Sequence, residues 1–91
     1  MKTKFNFTNG QECDLSELVP TQTARVIRVD DAVASGRRLL DLGFLPETRV
    51  RVLRRAPLGD PVVYELRGYR ICLRRTDARR VRVRVQQGTD G

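Results

Sequence analysis

The 91-residue sequence contains no histidine and no tryptophan. Without histidine it lacks the commonest general base and the commonest neutral metal ligand, and much familiar catalysis goes with them. Its two cysteines, Cys13 and Cys72, form no C-x-x-C pair, so one chain cannot assemble a zinc ribbon or a dithiol redox centre. A disulfide between them is disfavoured in a reducing cytosol. Aromatic residues make up 5% of the chain, too few for a base-stacking platform; of Phe5, Phe7, Phe44, Tyr64 and Tyr69, the last three read as core. There is no G-x-x-x-x-G-K-S/T loop, which excludes nucleotide hydrolysis by that route. No apolar run approaches the roughly 18 residues of a membrane span, and the polar start MKTKFNFTNG has no signal-peptide core. Both absences point to the cytosol.

What the chain has in excess is positive charge. Eighteen Lys and Arg stand against eleven Asp and Glu, for a net charge of +7, and all but Lys2 and Lys4 of the basic residues are arginine. An anionic partner follows. Hydrophobic residues at 40% are ordinary for a globular domain, and the length allows one small core. Cys72, between Ile71 and Leu73, reads as a small buried hydrophobe. Cys13, flanked by Glu12 and Asp14, reads as more exposed and is the one candidate for a metal contact, at a dimer interface; the residues imply no other metal site.

Local signals divide the chain into short elements. Residues 1–13 read as a polar N-terminal extension, 14–85 as the domain, and 86–91 as a polar tail. Asp14-Leu15-Ser16-Glu17-Leu18 has the pattern of a capping box and predicts one helical turn, ended by Pro20. TARVIRV at 23–29 is β-branched and predicts a strand, although adjacent Val26 and Ile27 leave its inward face ambiguous. A helix is expected over roughly 32–42, with Asp30 or Asp31 as N-cap. Gly43 would take the left-handed C′ position and set Phe44 over Leu39. Strands are expected at 48–55 and 62–66, with a proline-bracketed turn at 57–61 between them. A two-residue turn at Arg67-Gly68 then pairs Leu66 with Tyr69, Tyr64 with Ile71 and Val62 with Leu73 on one face, and Glu65 with Arg70 and Val63 with Cys72 on the other. Thr76-Asp77-Ala78 predicts a second helical turn, followed by a strand that turns Val81, Val83 and Val85 to one side. The fold class is therefore mainly β: a small antiparallel barrel with one short α-helix and one or two helical turns.

Five blocks in order carry a family resemblance: DLSELVP at 14–20, RRLLDLGFLP at 37–46, RAPLGDP at 55–61, RGYRICLRR at 67–75 and TDARRVRVRV at 76–85. Together they resemble FeoA, the small accessory protein of bacterial ferrous iron transport. That resemblance implies an SH3-like barrel working in the cytoplasm on the FeoB-type transporter, a membrane permease with its own GTP-binding domain. It implies no catalytic residue and no cofactor. The chain departs from the family at Thr21 and Glu47, where glycine is usual. Thr and Glu accept positive φ poorly, so both turns are expected to differ in backbone geometry.

The residues expected to meet a partner are Pro57, Leu58, Gly59, Asp60 and Pro61. Leu58 stands out, because an aliphatic side chain at a turn tip has no evident reason to be buried; the alternative is that it folds back onto the barrel end. Gly59 and Asp60 suit tight-turn dihedrals. Leu39, Leu40, Gly43 and Phe44 match the family's helix motif and read as packing. Arg49, Arg51, Arg80, Arg82 and Arg84 are the outward-facing candidates for an anionic surface, against the alternative of a solvated exterior. The leading functional expectation is a non-catalytic cytoplasmic accessory protein that contacts the transporter. The alternative is a regulatory or nucleic-acid-binding barrel akin to the C-terminal domain of iron-dependent repressors, although no helix-turn-helix precedes it and no nucleic acid is expected. Peripheral association with the cytoplasmic membrane and a homo-oligomer are left open.

Overall fold

The computed structural model describes residues 9–86. Phe5, Phe7, Lys2 and Lys4, with the tail beyond Gln86, lie outside them. Among the described residues six strands make one antiparallel sheet: β1 Glu12–Asp14, β2 Thr23–Val29, β3 Arg49–Arg55, β4 Val62–Leu66, β5 Tyr69–Leu73 and β6 Val81–Gln86. Their order across the sheet is β1-β6-β2-β3-β4-β5. The expected mainly β, SH3-like architecture is what forms. The ladder has two end strands, β1 and β5, so the sheet does not close into a continuous hydrogen-bonded ring. Glu12 and Cys13, which read as part of the extension, join the sheet by pairing with Arg84 and Val83 of β6.

Alternation along the strands builds the core. Val81, Val83 and Val85 point inward from β6, Val50 and Val52 from β3, and Val62, Tyr64 and Leu66 from β4, all buried. The ambiguous face of β2 is settled by a β-bulge between Val26 and Arg28. Ile27 is the extra residue, so Ala24, Val26 and Val29 can all turn inward. A second bulge, between Val52 and Arg54, does the same for β3 around Leu53. The β4–β5 hairpin has the register set by its turn and its alternation: all five pairs form, from Leu66 with Tyr69 to Val62 with Leu73. Arg67 and Gly68 have φ of 51° and 85°, as a type I′ turn demands.

The helical segments close the ends of the sheet. Asp14 N–H donates to Glu17 Oε2 at 3.3 Å, the return arm of the capping box, and the 3-10 turn Leu15–Glu17 drops Leu15 and Leu18 into the core. The main helix, α1, spans Ala34–Asp41 and its N-cap is Val33, without a side-chain cap. Neither Asp30 nor Asp31 caps it. Asp30 instead accepts from Ala32 N–H at 3.3 Å and pairs with Arg80 at 3.6 Å, stitching the end of β2 to the start of β6. The other end of α1 follows expectation. Gly43 N–H donates to the Leu40 carbonyl at 3.0 Å and Phe44 N–H to the Leu39 carbonyl at 3.1 Å, with Gly43 at φ 111°; these are the two bonds of a Schellman motif. Phe44 and Leu39 both lie in the core. A second helix, α2, covers only Arg75–Ala78.

Thr21 and Glu47 adopt the left-handed backbone that favours glycine. Both hold positive φ, 78° and 73°, because backbone bonds fix them there. Thr21 N–H donates to the Val52 carbonyl at 2.8 Å and Glu47 N–H to the Val26 carbonyl at 2.7 Å. A side chain in that region costs roughly 1–2 kcal/mol, of which glycine's greater unfolded-state freedom returns part. Thr21→Gly and Glu47→Gly should therefore each stabilise the fold by about 0.5–1 kcal/mol. Thermal unfolding of the double variant should show a midpoint raised by on the order of 5 °C. A lowered midpoint would mean that contacts of the two side chains outweigh the backbone strain.

Candidate functional site

The loop between β3 and β4 is held by two backbone bonds at its base. Gly59 N–H donates to the Ala56 carbonyl at 2.7 Å and Ala56 N–H to the Pro61 carbonyl at 2.9 Å. The first closes a turn with Pro57 at its second position, where the pyrrolidine ring presets φ. Gly59 leaves the turn at φ 87° and the Asp60–Pro61 bond is cis. Asp60 then anchors the loop to α2, its Oδ1 accepting from Arg75 N–H at 3.0 Å. That bond satisfies one of the unpaired donors at the start of a helix.

At the apex of this clamped loop, Leu58 is 96% exposed. It does not fold back onto the barrel. The five residues expected at a partner surface thus divide by role. Pro57 and Leu58 are presented to solvent, Gly59 and Asp60 shape and tether the loop, and Pro61 lines a concavity of about 440 Å³ with Asp60, Cys72 and Arg74. Beneath the loop, Tyr64 is 1% exposed. Burial pushes its hydroxyl from 10.0 up to about 12, with Arg55 and Arg75 opposing the rise and Asp60 adding to it. Arg55 Nη2 also donates to the Leu18 carbonyl at 2.8 Å, tying the last residue of β3 to the turn after β1.

The two cysteines exchange the environments that their neighbours suggest. Cys13 is buried and Cys72 exposed. Cys13 faces inward opposite Val83, and burial first, then Glu17 and Asp14, push its thiol from 9.0 up to about 11 against the opposite pull of Arg82. That burial disfavours the thiolate through which a cysteine ligates a metal. Among the described residues no three His, Cys, Asp or Glu gather in a way that could hold one. Cys72 lies outward opposite Val63, between the concavity at Pro61 and another of about 390 Å³ formed by α1 and β5 with Arg38, Leu39, Ile71 and Asp77. Tyr69 also departs from expectation. It is 42% exposed, with its hydroxyl donating to the Leu42 carbonyl.

The register sorts the arginines. Arg84 pairs with Glu12 at 3.1 Å, Arg82 with Asp14 at 3.7 Å and Glu12 at 4.0 Å, and Arg80 with Asp30 at 3.6 Å. Those three, all candidates from sequence, are compensated within the fold, whereas Arg49 and Arg51 have no such ion pair among the described residues. Arg25 was not among the candidates, yet it stands directly opposite both Arg49 and Arg84. Its signal was available only from strand order. No described helix is long and apolar enough to cross a membrane.

Comparison with known proteins adds context to this geometry. The family model of the FeoA domain matches residues 13–85. A Porphyromonas gingivalis Fe(2+) transport protein A/Fe(2+) transporter FeoB fusion protein is 37% identical over 71 residues, covering 78% of this chain. The chain spans 8% of that relative's length. The solution structure of a FeoA-like protein from Clostridium acetobutylicum superposes with a TM-score of 0.79 at 28% identity, over 93% of this chain and 96% of that one. The zinc complex of Stenotrophomonas maltophilia FeoA, described as a procaryotic SH3 domain protein, gives 0.70 at 36% identity, over 77% and 87%. A manganese-dependent transcriptional repressor gives 0.74 at 22% identity over 81% of this chain and 36% of that one, a likeness of fold alone.

Proposed function

This chain belongs to the FeoA domain family, and from that premise we propose that it is a non-catalytic accessory protein of ferrous iron uptake which contacts a FeoB-type transporter from the cytoplasmic side through the Leu58 loop. The observation that carries the reading is Leu58 itself, 96% exposed at the apex of a loop pinned at its base and to α2. Presenting an aliphatic side chain on a preorganised turn limits the entropy lost when a partner encloses it. The Porphyromonas gingivalis fusion supports the pairing, because a covalent link holds two modules at high effective concentration. Influence on the transporter then works by preference: a bound barrel shifts the partner toward whichever conformation it binds more tightly.

Leu58→Asp tests this. An apolar anchor replaced by a charge should lower retention of the solubilised transporter by at least about a hundredfold, in the range of interface hot spots. Thermal unfolding should be unchanged, since the side chain touches solvent. Loss of folding, or undiminished retention, would sink the proposal. The likeness to a repressor keeps one rival in view, a nucleic-acid-binding barrel. It predicts steeply salt-dependent retention on duplex DNA with no transporter recovered.

A further inference from the structure

The antiparallel register lines up Glu12, Arg84, Arg25 and Arg49 across four strands on the face turned away from the core. Like charges directly opposite one another destabilise a ladder. Glu12 compensates Arg84, but no carboxylate among the described residues pairs with Arg25 or Arg49. Arg25 Nη1 reaches the Glu47 carbonyl at 2.9 Å, which places it at the turn entering β3. Arg67, on the neighbouring β4–β5 turn, lines two concavities together with Arg49. One, of about 300 Å³, includes Thr23, Arg51 and Glu65, the last set opposite Arg51 by the register; the other, of about 400 Å³, includes Pro46 and Glu47. The same end of the barrel shows Leu45 and Tyr69, 43% and 42% exposed, beside Pro46 and Gly68.

We infer that this end of the barrel, with Arg25, Arg49 and Arg67 around Leu45 and Tyr69, seats on the anionic surface of a lipid bilayer. Each guanidinium fork matches a phosphate oxygen pair. Leucine and tyrosine suit the boundary between headgroups and acyl chains, where one part of a side chain is apolar and another wet. A nucleic-acid backbone would satisfy the arginines and leave Leu45 in water, whereas a bilayer interface accommodates both. The surface lies opposite the Leu58 loop. β3 runs from Arg49 at this end to Arg55 at the other, so about 20 Å separates the two along the strand. A barrel seated on the membrane would hold its tip toward a cytosolic partner, yet the inference stands or falls independently of that partner.

Sedimentation with vesicles of phosphatidylcholine, alone or mixed with phosphatidylglycerol, tests the assignment. The protein should partition onto the mixed vesicles, not onto the neutral ones, and be released by salt. The Arg25→Gln/Arg49→Gln/Arg67→Gln variant should partition about a hundredfold more weakly. It should remain folded, because relief of the Arg25–Arg49 repulsion offsets loss of the Arg25 bond to the Glu47 carbonyl. Arg54→Gln/Arg74→Gln/Arg79→Gln removes the same charge elsewhere and should retain most of the binding, and Leu58→Asp should bind vesicles as the parent does. Equal loss in the two triple variants, equal uptake by neutral vesicles, or retention on duplex DNA or an acidic protein without vesicle binding would each overturn the inference.

Discussion

Gly36→Ala should destabilise the protein by about 3 kcal/mol or more and lower its unfolding midpoint by on the order of 15 °C. Gly36 is buried in the first turn of α1, where the helix crosses the end of β2. A Cβ there would lie 2.9 Å from the Asp30 carbonyl carbon and 3.0 Å from Asp31 Cα, with the Asp30 oxygen well inside contact distance. All three obstacles are backbone, so no side chain can swing aside. The end of β2 cannot retreat either, because Asp30 N–H donates to the Arg80 carbonyl at 2.8 Å. The helix must lift, and Leu39 and Phe44, which it sets into the core, lift with it. Ser35→Ala, one residue earlier on the exposed side, adds no such contact and should stay within about 0.5 kcal/mol of the parent. If Gly36→Ala matched Ser35→Ala in urea unfolding, the close approach of α1 to β2 would be wrong.

Alkaline pH should weaken the fold through two buried groups. The Cys13 thiol is held up from 9.0 to about 11 and the Tyr64 hydroxyl from 10.0 to about 12, in both cases chiefly by burial. Each is therefore more readily deprotonated in the unfolded chain. Their contributions are complete below about pH 9 and 10 respectively, and are lost as pH rises through about 11 and 12. A shift of this size corresponds to roughly 2–3 kcal/mol per group. Urea midpoints measured at increasing pH should fall steeply above pH 9. Tyr64→Phe should flatten the upper part of that fall and Cys13→Ala the lower, whatever each costs at neutral pH. An alkaline limb unaltered in both variants would show that other groups control it.

The contrast between the two cysteines shows how far a linear reading carries. Cys72 sits in an apolar run, which suggests burial, but the hairpin register sets it opposite Val63 on the face away from Leu66, Tyr64 and Val62. Alternation decides, and it turns Cys72 outward. Cys13 has acidic neighbours, which suggest exposure. The same alternation, once β1 is laid beside β6, turns it inward. Short-range composition was a weaker guide than pleat geometry. The helix stop at Gly43 and the β4–β5 turn were legible because each rests on bonds between residues close in sequence. The helix start was not, since Asp30 was drawn into a contact with Arg80, fifty positions away.

Composition, turn chemistry and local periodicity thus determined a small, mainly β, histidine-free domain, its elements from the capping-box turn at Asp14 onward, its family, and a loop with a leucine at its tip, but not the first strand, β1. The three-dimensional arrangement decided that Leu58 faces water and that Ile27 and Leu53 are bulge residues. It also decided which arginines are left without an acidic partner among the described residues. Electrostatic pairing depends on which strands lie side by side and in what register, and β6 between β1 and β2 joins residues from opposite ends of the chain. That placement hands Glu12 and Asp14 to Arg82 and Arg84, and sets Arg25 opposite Arg49.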